Sequence, residues 1–162
     1  MTMRPSKLPH RNERSIPIHE ARALLSDCVG RMVQEPELGH GSFVTMYLVN
    51  QDLRGPEEYF VWIYCTAWNL CSDCDLLCGS EDDREFMDET LRQLDGQIVE
   101  RITIDHPSLS LSLEVTGGLR LQTLSIYSAH SDNYEHWFVK LPSGEWLVAG
   151  PGHELFLQPA DV

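Results

Sequence analysis

The chain has 162 residues, enough for one domain of ordinary size and too few for two independent cores. With 42% hydrophobic and 23% charged residues it has the composition of a globular protein, not of a disordered or fibrous one. Lys and Arg number 12 against 25 Asp and Glu, a formal charge of −13, which argues against nucleic acid as a direct partner because phosphate binding needs a basic footprint.

Residues 1–15 hold Pro5 and Pro9, four basic residues and almost no large apolar ones, and read as a flexible N-terminal arm. No apolar stretch follows those basic residues as in an export signal, and no run approaches the ~20 apolar residues that cross a bilayer. The expected setting is the cytoplasm, with reduced thiols and no membrane partner.

From Ile18 the spacing predicts a helix. Ile18, Ala21, Leu24, Leu25 and Cys28 recur three and four residues apart, Pro17 suits a first turn, and Gly30 suits a left-handed end. A strand over Arg31–Val33 is expected next, then one over Phe43–Val49 with Phe43, Thr45, Tyr47 and Val49 on one face. After a polar loop at Asn50–Glu58, Tyr59–Thr66 is a nearly continuous apolar run that suits a strand buried on both faces.

Ser80 is expected to cap a second helix, with Glu81, Asp82 and Asp83 in its first turn. Phe86, Met87, Thr90, Leu91 and Leu94 form its apolar stripe, and Asp95-Gly96 ends it. Strands are then predicted at Ile98–Ile104, Leu109–Val115, Leu119–Ile126, His136–Leu141 and Glu145–Ala149, with Leu155–Leu157 as a last edge.

The two halves read as one unit used twice. Cys28–Val33 aligns with Leu94–Val99, and at the same offset Phe43, Thr45, Tyr47 and Val49 fall on Leu109, Leu111, Leu113 and Val115. Trp68 and Trp137 become equivalent core residues. The expected fold class is α+β and strand-dominated: a tandem pseudo-repeat of helix plus antiparallel β-meander, with units at 16–79 and 80–162 packed into one domain.

Three groups of residues bear on chemistry. Cys65, Cys71, Cys74 and Cys78 could supply four thiolates to a structural zinc, making a zinc-stabilised structural or regulatory β-domain. The irregular spacing, and the lack of metal-ligating counterparts in the second half, favour small buried hydrophobes and one exposed turn thiol, with no metal and no cofactor. His130, His136 and His153, with Glu135, Asp132 and Asp161 near in sequence, could do acid–base work, but read as separate surface histidines. No nucleophile, phosphate-loop or metalloprotease signature is present, so an enzyme is not expected.

The third group is acidic. Residues 73–89 hold eight acids against one base, Arg84, more than helix capping needs. Glu81, Asp82, Asp83, Glu85 and Glu89 are expected to steer a basic protein partner, with Asp132, Tyr134 and Glu135 extending the surface and Tyr127 and Tyr134 as aromatic anchors.

The stretch from Leu91 to Leu157, with its leading Leu94-x-Gly96-x-x-Val99, its alternating strands and its Trp137…Pro142-x-Gly144…Gly150-Pro151-Gly152, resembles small bacterial proteins of the immunity-protein type associated with polymorphic toxin systems. The first half, with Gly39-His-Gly-Ser-Phe43 and Trp68…Gly79-Ser-Glu-Asp82, resembles the N-terminal unit of the same group. The resemblance spans roughly residues 20–157 and rests on turn and core residues. It implies a non-catalytic inhibitor that occludes the active or functional surface of a cognate toxin during bacterial competition, and it carries no catalytic residues.

Overall fold

A computed structural model describes residues 13–52 and 57–160, so most of the arm expected at 1–15 lies outside the described residues. Within them the fold is α+β and strand-dominated, with two helices and twelve strands in two antiparallel sheets. The chain opens with β1 (Arg14–Ile16) and α1 (Ile18–Leu25), followed by the meander β2 (Met32–Leu38), β3 (Val44–Val49) and β4 (Tyr59–Ile63). A hairpin follows, β5 (Ala67–Cys71) and β6 (Leu76–Gly79). Next come α2 (Arg84–Leu91) and the meander β7 (Val99–Ile104), β8 (Leu111–Val115) and β9 (Leu119–Leu124). The chain closes with β10 (Trp137–Lys140), β11 (Trp146–Ala149) and β12 (Leu155–Gln158).

Strand order shows how the halves meet. The larger sheet runs β1-β12-β11-β10-β4-β3-β2 and the smaller β6-β5-β9-β8-β7. Each meander is therefore extended by the hairpin of the other half: β10 pairs with β4, and β5 pairs with β9, both antiparallel. The two sheets are also stitched at one edge. Gly30 N–H donates to Val99 O and Gly96 N–H to Val33 O, each at 2.8 Å, and Val33 N–H to Gln97 O and Val99 N–H to Arg31 O, also at 2.8 Å. These contacts join the two segments that align in the sequence. Gly30 and Gly96 make the turns possible, at φ +89 and φ +80.

One core is drawn from both sheets and both helices. Val44, Met46, Leu48, Val61 and Ile63 of the large sheet share it with Leu70, Leu111, Leu113 and Leu121 of the small one. Burial of such side chains contributes about 1.5–3 kcal/mol each. Trp68 and Trp137 are its largest members, and each indole N–H crosses between sheets. Trp68 Nε1 donates to Ser42 O ahead of β3 at 2.7 Å, and Trp137 Nε1 to Leu109 O ahead of β8 at 2.9 Å.

Several local expectations are corrected. Arg14–Ile16 is an edge strand on β12 and so no part of an arm. The strand expected over Arg31–Val33 runs on to Leu38, because a bulge between Gln34 and Glu37, with Glu35 at φ 54, keeps it paired with β3. Ser80 does not cap α2: Asp83 holds that position, while the Ser80 hydroxyl accepts the Trp68 N–H at 3.1 Å. In β3 the face that meets the core is Val44, Met46 and Leu48, not the one carrying Phe43, Thr45 and Tyr47. β4 is buried on one face only.

Replacing either tryptophan by phenylalanine leaves a carbonyl, half-buried at Ser42 and buried at Leu109, without its indole donor. Trp68→Phe and Trp137→Phe are each expected to cost about 1–3 kcal/mol, read as a lower urea midpoint at unchanged slope.

Candidate binding face and a buried histidine–aspartate cluster

In β4 the aliphatic and aromatic residues alternate, and the strand period sends them to opposite sides. Val61 and Ile63 enter the core, whereas Phe60 and Trp62, with Tyr64 just beyond, stand half-buried on the outer face. Pairing extends this face sideways. Tyr47, Phe60, Lys140 and Trp146 lie in one cross-strand row, and Thr45, Trp62 and Phe138 in the next. The rings touch: Trp62 and Phe138 stack at 5.0 Å between centroids, Phe43 and Tyr64 approach to 4.6 Å, and Tyr47 and Phe60 to 5.0 Å. Lys140 Nζ sits 5.6 Å from the Trp146 ring centroid, a cation–π contact. Sheet faces turned to water are usually polar, so a half-buried aromatic face of this kind is a candidate contact surface. The sequence signal for it, aromatics two residues apart at 60, 62 and 64, was masked by the apolar residues between them.

A depression lies at each end of this face. One, of about 520 Å³, is lined by Tyr47, Phe60, Lys140, Trp146, Glu58 and the Pro142–Gly144 turn. The other, of about 300 Å³, sits where β4 passes to the small sheet and joins Phe43, Tyr64 and Cys65 to Glu81, Ile126, Tyr127 and Tyr134. Ile126 is 63% exposed and Tyr127 45% exposed there, large apolar surface left to solvent. Three residues expected from the sequence, Glu81, Tyr127 and Tyr134, thus line one cleft.

The remaining acids divide. Asp82, Asp83, Glu85 and Glu89 are exposed beside Glu81 on the approach to α2 and along it. Asp82 Oδ2 also accepts the Gly79 N–H at 2.8 Å. Because α2 starts at Arg84, Glu81 precedes the helix, and the like-charge spacing of Glu81 with Glu85 is not a helical pair. The guanidinium of Arg84 goes to the carbonyls of Gly41 at 2.6 Å and Gly39 at 2.7 Å, tying α2 to the β2–β3 turn. Glu135 is half-buried. Asp132 is a correction: its carboxylate is fully occluded, so it cannot serve as surface charge.

Asp132 instead lies at the centre of a buried cluster. Its Oδ1 meets His136 Nε2 at 2.8 Å, and its Oδ2 accepts the backbone N–H of His153 at 3.0 Å and faces His153 Nε2 at 3.7 Å. Burial alone would push this carboxyl up, but the bonds from His136 and from the backbone N–H groups of His153 and Tyr134 outweigh it and hold the group below its ordinary value. His136 and His153 are therefore not separate surface residues. Their rings meet edge to face, 5.5 Å between centroids. His130 is exposed and lies outside the cluster.

Ser125 Oγ is 3.1 Å from His153 Nε2, which puts a serine, a histidine and an aspartate together. A nucleophilic triad needs the acid on one ring nitrogen and the serine on the other. Here both face the same nitrogen, so the imidazole cannot take a proton from one side while being oriented from the other.

The four clustered cysteines do not converge. Register places Leu70 opposite Cys78 and Leu76 opposite Cys71, so Cys78 enters the core while Cys71 stays half-exposed. Cys74 lies exposed in the turn, and Cys65 lines the cleft. None of them belongs to the group able to hold a metal among the described residues. Burial pushes the Cys78 thiol up to about 11 and that of Cys28 to about 12.

Two outcomes follow from this geometry. Under native conditions a thiol reagent at neutral pH should modify Cys74 first and leave Cys28 and Cys78 unmodified until the protein is unfolded, as read by mass spectrometry. Gly150, at φ +81, packs against Tyr134 O, and a Cβ there would stand 3.0 Å from the His136 ring. Gly150→Ala should therefore cost about 2 kcal/mol or more in a denaturant titration. Compared with protein-family models, curated proteins and solved structures, the chain finds no match in any of the three.

Proposed function

We propose that this chain is a non-catalytic acidic binding protein that neutralises a basic protein partner by covering its functional surface, as a cognate immunity protein does with a toxin domain. The observation that carries the reading is the aromatic face of the large sheet, continuous through Phe43 and Tyr64 with a cleft whose wall includes Glu81. Trp and Tyr are the side chains that contribute most where proteins meet, since they bury large rigid area at little entropy cost. Carboxylates on the approach to α2 then act at longer range, raising the encounter rate with a cationic surface.

The finer architecture belongs to the same proposal. We read the chain as a helix-plus-meander unit used twice, at 16–79 and 80–162, with hairpins exchanged between units. The matched hydrogen bonds of Gly30 and Gly96, and the matched indole contacts of Trp68 and Trp137, support this reading. Action inside the cytoplasm fits the reduced cysteines; among the described residues no helix is long and apolar enough to cross a membrane.

The test is co-expression with the product of each neighbouring reading frame, where the proposal expects a toxin domain, followed by binding kinetics on the purified pair. Growth rescue with one-to-one inhibition is expected. Trp62→Ala should speed dissociation by about thirtyfold, the effect of losing roughly 2 kcal/mol at a central anchor. Joint reversal of Glu81, Glu85 and Glu89 to Lys should slow association several-fold at low salt and leave dissociation nearly unchanged. An association rate indifferent to both reversal and salt, with dissociation indifferent to Trp62→Ala, would overturn the proposal.

A further inference from the structure

We propose that Asp132, His136 and His153 bind one divalent transition-metal ion of the zinc type, leaving a coordination position open on the side of Ser125. The three side chains arrive from two places: Asp132 and His136 from the β9–β10 connection, four residues apart, and His153 from the β11–β12 turn. Each offers a ligand atom, and these atoms lie within 4.8 Å of one another. Ligand atoms around a tetrahedral zinc with bonds of about 2.0–2.2 Å stand roughly 3.3–3.6 Å apart, so small side-chain shifts suffice to admit the ion. Two imidazoles and one carboxylate make a donor set suited to zinc and its neighbours rather than to calcium or magnesium.

The surroundings fit the chemistry. Backbone N–H groups of His153 and Tyr134, at 3.0 and 3.4 Å, fix the carboxylate from behind, as supporting bonds do around metal ligands. The carboxylate is fully occluded and the His136 side chain is 6% exposed, while His153 is 15% exposed, so the site opens on that side. A plain ion pair would be complete with one histidine. The second imidazole comes from a residue held at φ 53, a conformation that costs a non-glycine residue on the order of 1–3 kcal/mol, and its Nε2 sits 3.7 Å from Oδ2 with Ser125 Oγ at 3.1 Å on the open side. A shared ion accounts for that placement, and it would tie the loop carrying Tyr127 and Tyr134 to the β11–β12 turn. The inference stands apart from the binding face and does not rest on it.

The full chain, stripped with a chelator, should be titrated with Zn²⁺ by calorimetry and with Co²⁺ by visible absorption, alongside Cys74→Ser. One equivalent is expected in both proteins, with a rise in Tm of several degrees and a cobalt spectrum lacking thiolate charge transfer. His153→Ala, which removes a side chain at the edge of the core, should keep the native circular dichroism and weaken binding at least about tenfold. Should His136→Ala fail to fold, His153→Ala and Asp132→Asn carry the test. No saturable binding, undiminished binding in His153→Ala, or a thiolate band that vanishes in Cys74→Ser would each overturn the proposal.

Discussion

The pairing of β4 with β10 is the contact on which the rest of the molecule depends. It joins strands from opposite halves of the chain, Trp137 opposite Ile63 and Lys140 opposite Phe60. Without it the first meander would keep an open edge and the second hairpin would have no sheet to join, a poor state for either half. The β5–β9 pairing closes the other sheet in the same manner. Each half is completed by the other, so a ~65-residue piece that buries too little surface on its own becomes part of one larger core.

The same pairing makes the binding face. Phe60 and Trp62 come from the first half and Phe138 and Trp146 from the second, and only the shared sheet sets their rings side by side. Rings in mutual contact, most of them edge to face, would hold their shape before a partner arrives, which would lower the ordering cost of association. In the proposed complex the acids on the α2 side would act through the field rather than through fitted contacts. On the proposed reading, apolar anchors would govern how long a complex lasts and charges how fast it forms.

The connection from β9 to β10 carries a second consequence. It must leave the small sheet and enter the large one, and it is held where Asp132 gathers His136 and His153. Gly150 lies against Tyr134 O and the His136 ring, leaving no room for a side chain. The buried cluster and the two tyrosines are therefore parts of one structural unit: the polar groups fix the loop from inside while Tyr127 and Tyr134 line the cleft.

Much of the framework was legible along the chain. Three- and four-residue apolar spacing located both helices, alternation located most strands, and Gly30 and Gly96 marked turns that need positive φ. The acids of 81–89 were readable as surface charge because they far outnumber the one base among them, Arg84. What the sequence could not decide is which side of a strand faces the core when both sides are apolar, as with Phe43 to Val49 and Tyr59 to Tyr64. Nor could it reveal that Asp132, His136 and His153 meet, because His153 arrives through a turn beyond the next strand. Local spacing determines what an element is; strand exchange between halves, a long-range matter of sheet closure, decides which faces and side chains end up together.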